Sequence, residues 1–231
     1  MRRPAILGIV TSLPPSITNR LAASGAALVA VALLLAQSAA AQELAGQALV
    51  SALREGGYNI YFRHAATDWS RQDKVYEADD WTSCAPDKMR QLALEGRRTA
   101  SRVGEAMRAL RIPVGRVLAS PYCRTVETAR LLSVGPVSTT TDVMNMRAAE
   151  FFGGRSAVAA RARQRLSMPP EAGTNTVLVA HGNVLQAASD TYTGEAGAVV
   201  FRPDGNGRFS IVARISPEEW TRLAADFGES R

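Results

Sequence analysis

Tyr58-Asn59-Ile60-Tyr61-Phe62-Arg63-His64 is a short apolar run that ends in a cation and an imidazole. A second run, Thr176-Val177-Leu178-Val179-Ala180, also ends in an imidazole, His181, and continues Gly182-Asn183. His64 and His181 are the only histidines among 231 residues. Runs of this length, bounded by turn residues and rich in β-branched or aromatic side chains, read as buried strands. A histidine beside an arginine at the end of a buried strand is a poor packing choice. As part of a site that handles an anion it makes chemical sense.

Outward from these two strands the chain alternates helical and strand patterns. Apolar residues at 45, 48, 49, 52 and 53 predict a helix over 44–55, which Gly56-Gly57 stops. The first histidine strand, 58–63, follows. Residues 65–88 are polar, carry Trp69, Tyr76 and Trp81, and form a long excursion that either covers a cleft or packs on the body. Leu92, Leu94, Val103, Ala106, Met107 and Leu110 stripe a helix over 91–110. A strand at 117–120 leads into a helix over 121–132, opened by Pro121. Segment 136–152 yields no clear assignment. A helix over 155–168 stops at Pro169-Pro170. The second histidine strand, 176–180, passes through Gly182 into a helix ending near 190. Strands at 197–202 and 208–214 flank the turn Pro203-Asp204-Gly205-Asn206-Gly207, and a helix over 217–225 closes the chain. The alternation predicts an α/β fold, a three-layer helix–sheet–helix sandwich with a largely parallel central sheet. Ligands of such sheets bind outside the carboxyl ends of the strands. Arg63-His64, the stretch from Ser120 to Arg124, and His181 all stand at such ends, so one cleft is expected to collect them.

Arg2, Arg3 and Arg20 precede an uncharged stretch over 21–42, and Ala39-Ala40-Ala41 offers the small residues after which a signal peptidase cuts. Residues 1–41 are therefore expected to be an export signal and residues 42–231 a single domain, periplasmic or secreted. The competing reading is an uncleaved membrane anchor, since the stretch is almost long enough to span a bilayer. Alanine richness and the cleavage-like end favour removal, which leaves no stable membrane insertion. Residues 1–41 carry three arginines and no acid, so the remainder has a formal charge of +3 against +6 for the whole chain. No lysine run and no aromatic-interleaved basic stretch is present, which argues against nucleic acid as a partner. In an oxidising compartment Cys84 and Cys123 are a natural disulfide pair, with two buried free thiols as the alternative.

A cleft lined in this way can handle a phosphate group. Arg63 and Arg124 can each present several fixed N–H donors to its oxygens. One imidazole can attack phosphorus while the other, protonated, offsets charge on the equatorial oxygens, which splits one displacement into two through a phosphohistidine. Positioned positive charge then does most of the stabilising, and neither a metal nor another cofactor is needed. Arg124 and Thr125 open a helix, where backbone N–H groups favour an anion.

The chain resembles the histidine phosphatase superfamily, which includes phosphoglycerate mutases and acid phosphatases. The resemblance rests on Arg63-His64-Ala65, on Ser120-Pro121-Tyr122-Cys123-Arg124-Thr125-Val126-Glu127-Thr128-Ala129, and on His181-Gly182-Asn183, with Leu94-Glu95-Gly96 in support. It covers 58–190, in the family's order. It implies that His64 is the nucleophile, that Arg63 and Arg124 clamp the phosphate, and that His181 is the second histidine of the pocket. Thr67 falls where the family often has a small hydroxyl residue lining the pocket; a solvent-facing loop threonine is the alternative.

Two departures stand out. Ala65 replaces the glycine that usually follows the first histidine, which would tighten the backbone near the phosphate. The phosphoglycerate mutase branch also carries a proton-donating glutamate after the second motif, and the nearest analogue here, Asn145-Met146-Arg147-Ala148-Ala149-Glu150, holds alanine at that position. Glu150 and Glu195 remain as donor candidates. Glu195 is preferred, because the strand it precedes should start near the His181 loop.

Competing chemistries are weaker. Cys84-Ala85-Pro86-Asp87-Lys88-Met89-Arg90 has the C-x5-R spacing of cysteine-dependent phosphatases. Pro86 removes a needed donor, however, and Asp87 repels phosphate. Two histidines without clustered carboxylates make a poor metal site. The expected activity is therefore that of an exported, metal-independent phosphomonoester hydrolase acting on a small-molecule or glycan phosphate. The alternative is a non-catalytic extracytoplasmic domain of the same fold that binds a phosphorylated ligand. A mutase would need a phosphorylated primer, and export argues against a glycolytic role.

Overall fold

The computed structural model describes residues 43–228. The expected export signal, 1–41, lies outside the described residues. The strands are β1 (Asn59–Arg63), β2 (Val114–Ala119), β3 (Val137–Thr139), β4 (Asn175–Ala180), β5 (Ala198–Pro203) and β6 (Phe209–Ile215). The helices are α1 (Gly46–Glu55), α2 (Leu94–Ala109), α3 (Cys123–Leu132), α4 (Arg155–Ser167), α5 (Gly182–Ser189) and α6 (Pro217–Phe227). The strands form one sheet in the order β3-β2-β4-β1-β5-β6. β3, β2, β4 and β1 are parallel, whereas β5 runs against both of its neighbours. The tight turn after Pro203 allows only an antiparallel partner for β5; each parallel pair needs a crossover. Asp204 Oδ1 holds that turn by accepting from the N–H groups of Asn206 and Arg208, at 2.8 and 3.0 Å.

Strand alternation divides the core into two layers. Ile60, Phe62, Val117, Val177, Val179 and Val200 face one side, where they pack against Leu49 and Leu53 of α1, Val103 and Met107 of α2, Leu132 of α3 and Trp220 of α6. Tyr61, Leu178, Ala180, Val199 and Phe201 face the other, against Val158 and Leu166 of α4 and Val184 and Leu185 of α5. The sheet is thus sandwiched as its alternating pattern predicts. Segment 136–152 resolves into the short edge strand β3 and two 3-10 turns, Thr141–Val143 and Met146–Phe152, capped by the side chains of Thr140 and Asn145. Pieces this short have no room for a hydrophobic period, so none is legible there.

Topology brings the motifs together. β1 and β4 are adjacent and parallel, with Arg63 paired to Ala180, so His64 and His181 emerge side by side. β2 flanks β4 on the other side, with Ala119 paired to Val179, and delivers Ser120 next to His181. Gly96, in the first turn of α2, lets that helix press on the loop after His64. A Cβ there would lie 2.1 Å from the Ala66 carbonyl oxygen.

The loop between His64 and α2 is fastened at three places. A backbone bridge joins Thr67 to Leu92. Trp81 is buried against Phe151 and Phe152, with ring centroids 5.4 and 5.1 Å away. A disulfide joins Cys84 to Cys123, the first residue of α3. Closing a loop of this length stabilises the fold by about 4 kcal/mol in the chain-entropy model. The Cys84→Ser/Cys123→Ser protein should lose stability on that scale, read as a lower urea midpoint; a midpoint equal to wild type contradicts it.

Candidate active site

Above the ends of β1, β4 and β2 opens a cavity of about 570 Å³, whose wall includes Arg63, His64, Trp69, Asp73, Arg90, Asn145, Arg147, His181, Asn183 and Tyr192. His64 and His181 lie at its base, only 3% and 1% exposed, with ring centroids 5.7 Å apart and planes at 68°. His64 Nδ1 is 2.9 Å from the carbonyl oxygen of Ala65. A carbonyl only accepts, so Nδ1 carries the proton and Nε2 keeps its lone pair. His181 is fixed through its backbone: the Tyr61 hydroxyl donates to its carbonyl at 2.8 Å and accepts from its N–H at 3.1 Å. The His181 ring sits edge-on to Tyr122, 4.7 Å between centroids, with Nε2 2.9 Å from Ser120 Oγ.

Arg124, in the first turn of α3, is buried beneath the cavity and lies 4.6 Å over the Tyr122 ring. Its two terminal nitrogens donate to the two carboxylate oxygens of Asp73, both at 3.0 Å. Arg63 donates to the hydroxyl of Tyr192 and lies 3.6 Å from Glu195. Arg90 stacks on Trp69, with its guanidinium carbon 3.8 Å from the ring centroid. Buried side-chain atoms without a hydrogen-bond partner gather here: Arg90 Nε, Arg124 Nε, Tyr122 Oη, His181 Nδ1 and Glu195 Oε1. Buried polar atoms are normally satisfied, so a concentration of orphans around one cavity marks a place built for a polar ligand.

Both imidazoles titrate well below the ordinary histidine value. Burial is the largest cause for each. Arg124, Arg63 and Arg90 add to it, and for His64 the bond to Ala65 opposes it. The resting pocket therefore holds two neutral histidines, and its positive charge comes from arginine; a protonated resting His181 does not fit so buried a place. The unfolded chain takes up protons as pH falls through about 6.5, whereas the folded chain does not. Stability contributed by the neutral imidazoles is thus complete above that value and is lost as pH falls from it toward the lowered folded values. The loss is at most about 1.4 kcal/mol per pH unit for each histidine. Urea midpoints of wild type and His181→Asn, measured from pH 7.5 to 5, should differ by an amount that varies with pH; a constant difference contradicts this.

Arg63, His64, Arg124 and His181 thus converge from three strand ends. Other candidates are placed differently. Thr67 is buried rather than solvent-facing, and it is not among the cavity-lining residues; its bridge to Leu92 fastens it in the loop after His64, with its hydroxyl unpartnered. Thr125 turns inward, its N–H bonded to the Tyr122 carbonyl and its hydroxyl 2.7 Å from the Ser120 and Tyr122 carbonyls, so it offers no donor to the cavity. The methyl of Ala65 packs with Leu92, Ala100 and Ala196, and Ala65 is not among the cavity-lining residues. Glu150 is exposed. Glu195 stands beside Arg63, because β5 pairs with β1 and Ala196 N–H donates to the His64 carbonyl. Tyr192 of the same loop packs against Gly182, so the His181 loop is close by as expected, while Glu195 itself is not among the cavity-lining residues.

Asp73 and Arg90 are cavity residues that sequence reasoning did not single out as such. Arg90 closes the C-x5-R spacing, whose cysteine is locked in the disulfide. Among the described residues, no group of three or more His, Cys, Asp or Glu side chains is placed to hold a metal ion, and no helix is long and apolar enough to cross a membrane.

Residues 60–168 match the family model of the histidine phosphatase superfamily (branch 1). No curated protein matches the chain in sequence. Among solved structures, the "putative alpha-ribazole-5'-P phosphatase" of Escherichia coli str. K-12 substr. MG1655 is similar at a TM-score of 0.51 and 15% identity, over 70% of this chain and 98% of that one. The protein histidine phosphatase SixA, complexed with tungstate, gives 0.49 at 12% identity, over 69% and 97%. Phosphoserine phosphatase from Entamoeba histolytica, in complex with 3-phosphoglyceric acid, gives 0.46 at 14% identity, over 69% and 96%. At such identities the first of these speaks for the fold alone. Over residues 60–168, from β1 through the second motif to the end of α4, the chain carries a histidine phosphatase superfamily (branch 1) domain.

Proposed function

We propose that the protein is an exported, metal-independent phosphomonoester hydrolase that works through a phosphohistidine on His64. The observation that carries this reading is the state of His64. It is neutral, its Nδ1–H is tied to the Ala65 carbonyl, and its Nε2 lone pair is free in a cavity ringed by arginines.

Nε2 attacks phosphorus, the bond from phosphorus to the ester oxygen breaks, and the phosphoryl group rests on the imidazole. Arg63 and Arg124 hold its oxygens, and their charge is positioned before the reaction starts. His181 has its Nε2 beside the Ser120 hydroxyl, which leaves Nδ1 to meet the phosphoryl oxygens. An entering phosphate dianion offsets the arginines and favours a proton on His181. The departing alkoxide takes a proton from Glu195, whose Oε1 has no hydrogen bond and lies 3.6 Å from Arg63. Water then displaces the imidazole, returns a proton to Glu195 and releases inorganic phosphate. Asp73 is nearer the cavity, but both its oxygens are taken by Arg124.

Export is supported by the composition of residues 1–41 and by the Cys84–Cys123 disulfide, since such bonds persist in oxidising compartments. The test is turnover. The mature protein, treated with chelator, should hydrolyse p-nitrophenyl phosphate and retain acid-labile, base-stable phosphate on the chain. Tight phosphate binding without turnover across a broad panel of phosphomonoesters points instead to a binding domain. Ala65, which stands where the family usually has glycine, does not favour that alternative, because its methyl packs away in a small apolar cluster.

A further inference from the structure

The cavity holds more positive charge than one phosphate needs. Arg63, Arg71, Arg90 and Arg147 line it, Arg124 lies beneath, and Asp73 is its one lining carboxylate. Asp73 is committed to Arg124, and Glu195 stands beside Arg63. Among the described residues, Arg71, Arg90 and Arg147 have no carboxylate within ion-pair distance. These three are also distinct from the set that handles the transferred phosphate.

Arg90 is the best defined. It is half-buried and stacked on Trp69, and its Nε is buried with no partner. Its backbone N–H donates to Asp73 Oδ1 at 3.1 Å, which ties it to the Arg124 clamp. Arg147 comes from the other side, on the 3-10 turn whose cap is Asn145. Asn145 Oδ1 accepts from the Arg147 N–H at 2.9 Å and from Asn183 Nδ2 at 3.0 Å. Surface arginines normally point into water or pair with acids. Three that face a common cavity with no ion-pair partner of their own repel one another, and a ligand that ends the repulsion is favoured.

Resting on the phosphatase reading, we propose that Arg71, Arg90 and Arg147 form a second anion subsite, so that the substrate is a phosphomonoester bearing a further anionic group, a carboxylate or a second phosphate. Guanidinium groups suit both, because their donor forks match either set of oxygens. The cavity volume of about 570 Å³ leaves room for such a group beyond the transferred phosphate.

Calorimetry with non-hydrolysable phosphonates tests the subsite apart from turnover. Phenylphosphonate carries one anionic group, 3-phosphonopropionate adds a carboxylate, and 1,3-propylenediphosphonate adds a second phosphonate. Wild-type protein should bind at least one of the latter two about tenfold or more tightly than phenylphosphonate, and which one it prefers identifies the second group. Arg90→Gln and Arg147→Gln should each shrink that ratio. Equal affinities for all three in wild type, no binding of any, or variants that weaken all three equally overturn the proposal. Failure of hydrolysis with the affinity ratio intact overturns the catalytic reading and leaves the subsite standing.

Discussion

The His64→Ala protein should hydrolyse p-nitrophenyl phosphate about ten-thousand-fold or more slowly than wild type, since it loses the nucleophile on which both half-reactions depend. It should also carry no acid-labile phosphate after incubation with substrate. Binding should survive, because Arg63 and Arg124 remain and the Arg124–Asp73 pair does not pass through the imidazole. Calorimetric titration with inorganic phosphate checks this. The contrast matters, since a structural histidine at 3% exposure would on removal damage folding and binding together. Hydrolysis at the wild-type rate by His64→Ala sinks the assignment outright. Loss of phosphate binding along with activity shows that the imidazole holds the pocket's shape instead of attacking from it.

What sequence could and could not disclose follows from the range of the contacts. The two histidine strands are read from neighbouring residues alone: an apolar run, a turn residue and a polar end. β4 is buried along its whole length and so reads as an unbroken apolar stretch. The rule that strands separated by helices lie parallel in one sheet brings both histidines to the same edge of it, while the adjacency of β1 and β4 is a matter of sheet order. Asp73 is a different case. It is one of several acids in the polar loop, with Asp68, Glu77, Asp79, Asp80 and Asp87, and nothing in its neighbours marks it. Its role depends on a contact to Arg124, 51 positions away in sequence, that exists only once the loop has folded back. The aromatics of that loop also divide by their partners: Trp81 anchors it, Trp69 backs Arg90 at the cavity, and Tyr76 is left exposed. The contact of Glu195 with Arg63 depends likewise on sheet order: β5 pairs with β1, which the hydrophobic pattern of β5 does not disclose.

The Arg124–Asp73 pair carries the other large expectation. Both side chains are almost wholly buried, at 1% and 3% exposure, and each terminal nitrogen of the arginine meets one carboxylate oxygen. Burial taxes both charges, and the attraction between them offsets the tax only while both are present. Arg124→Met strips the buried carboxylate of Asp73 of its ion-pair partner and leaves it the Arg90 N–H as its remaining hydrogen bond, so it should cost about 3–5 kcal/mol of stability. It should also lower kcat/KM by about a hundred- to a thousandfold, the scale of losing one positioned donor to a developing charge. These two losses have different origins, and a second substitution separates them. Adding Asp73→Asn removes the stranded charge while keeping the side chain's shape, so the urea midpoint of the double variant should recover most of the way to wild type. Its activity should not recover, because the donor to the phosphoryl oxygens is still missing. Recovery of both would mean that Arg124 serves the fold and not the phosphate. Recovery of neither would mean that its contacts with Tyr122 and the start of α3, and not the ion pair, hold this side of the site together.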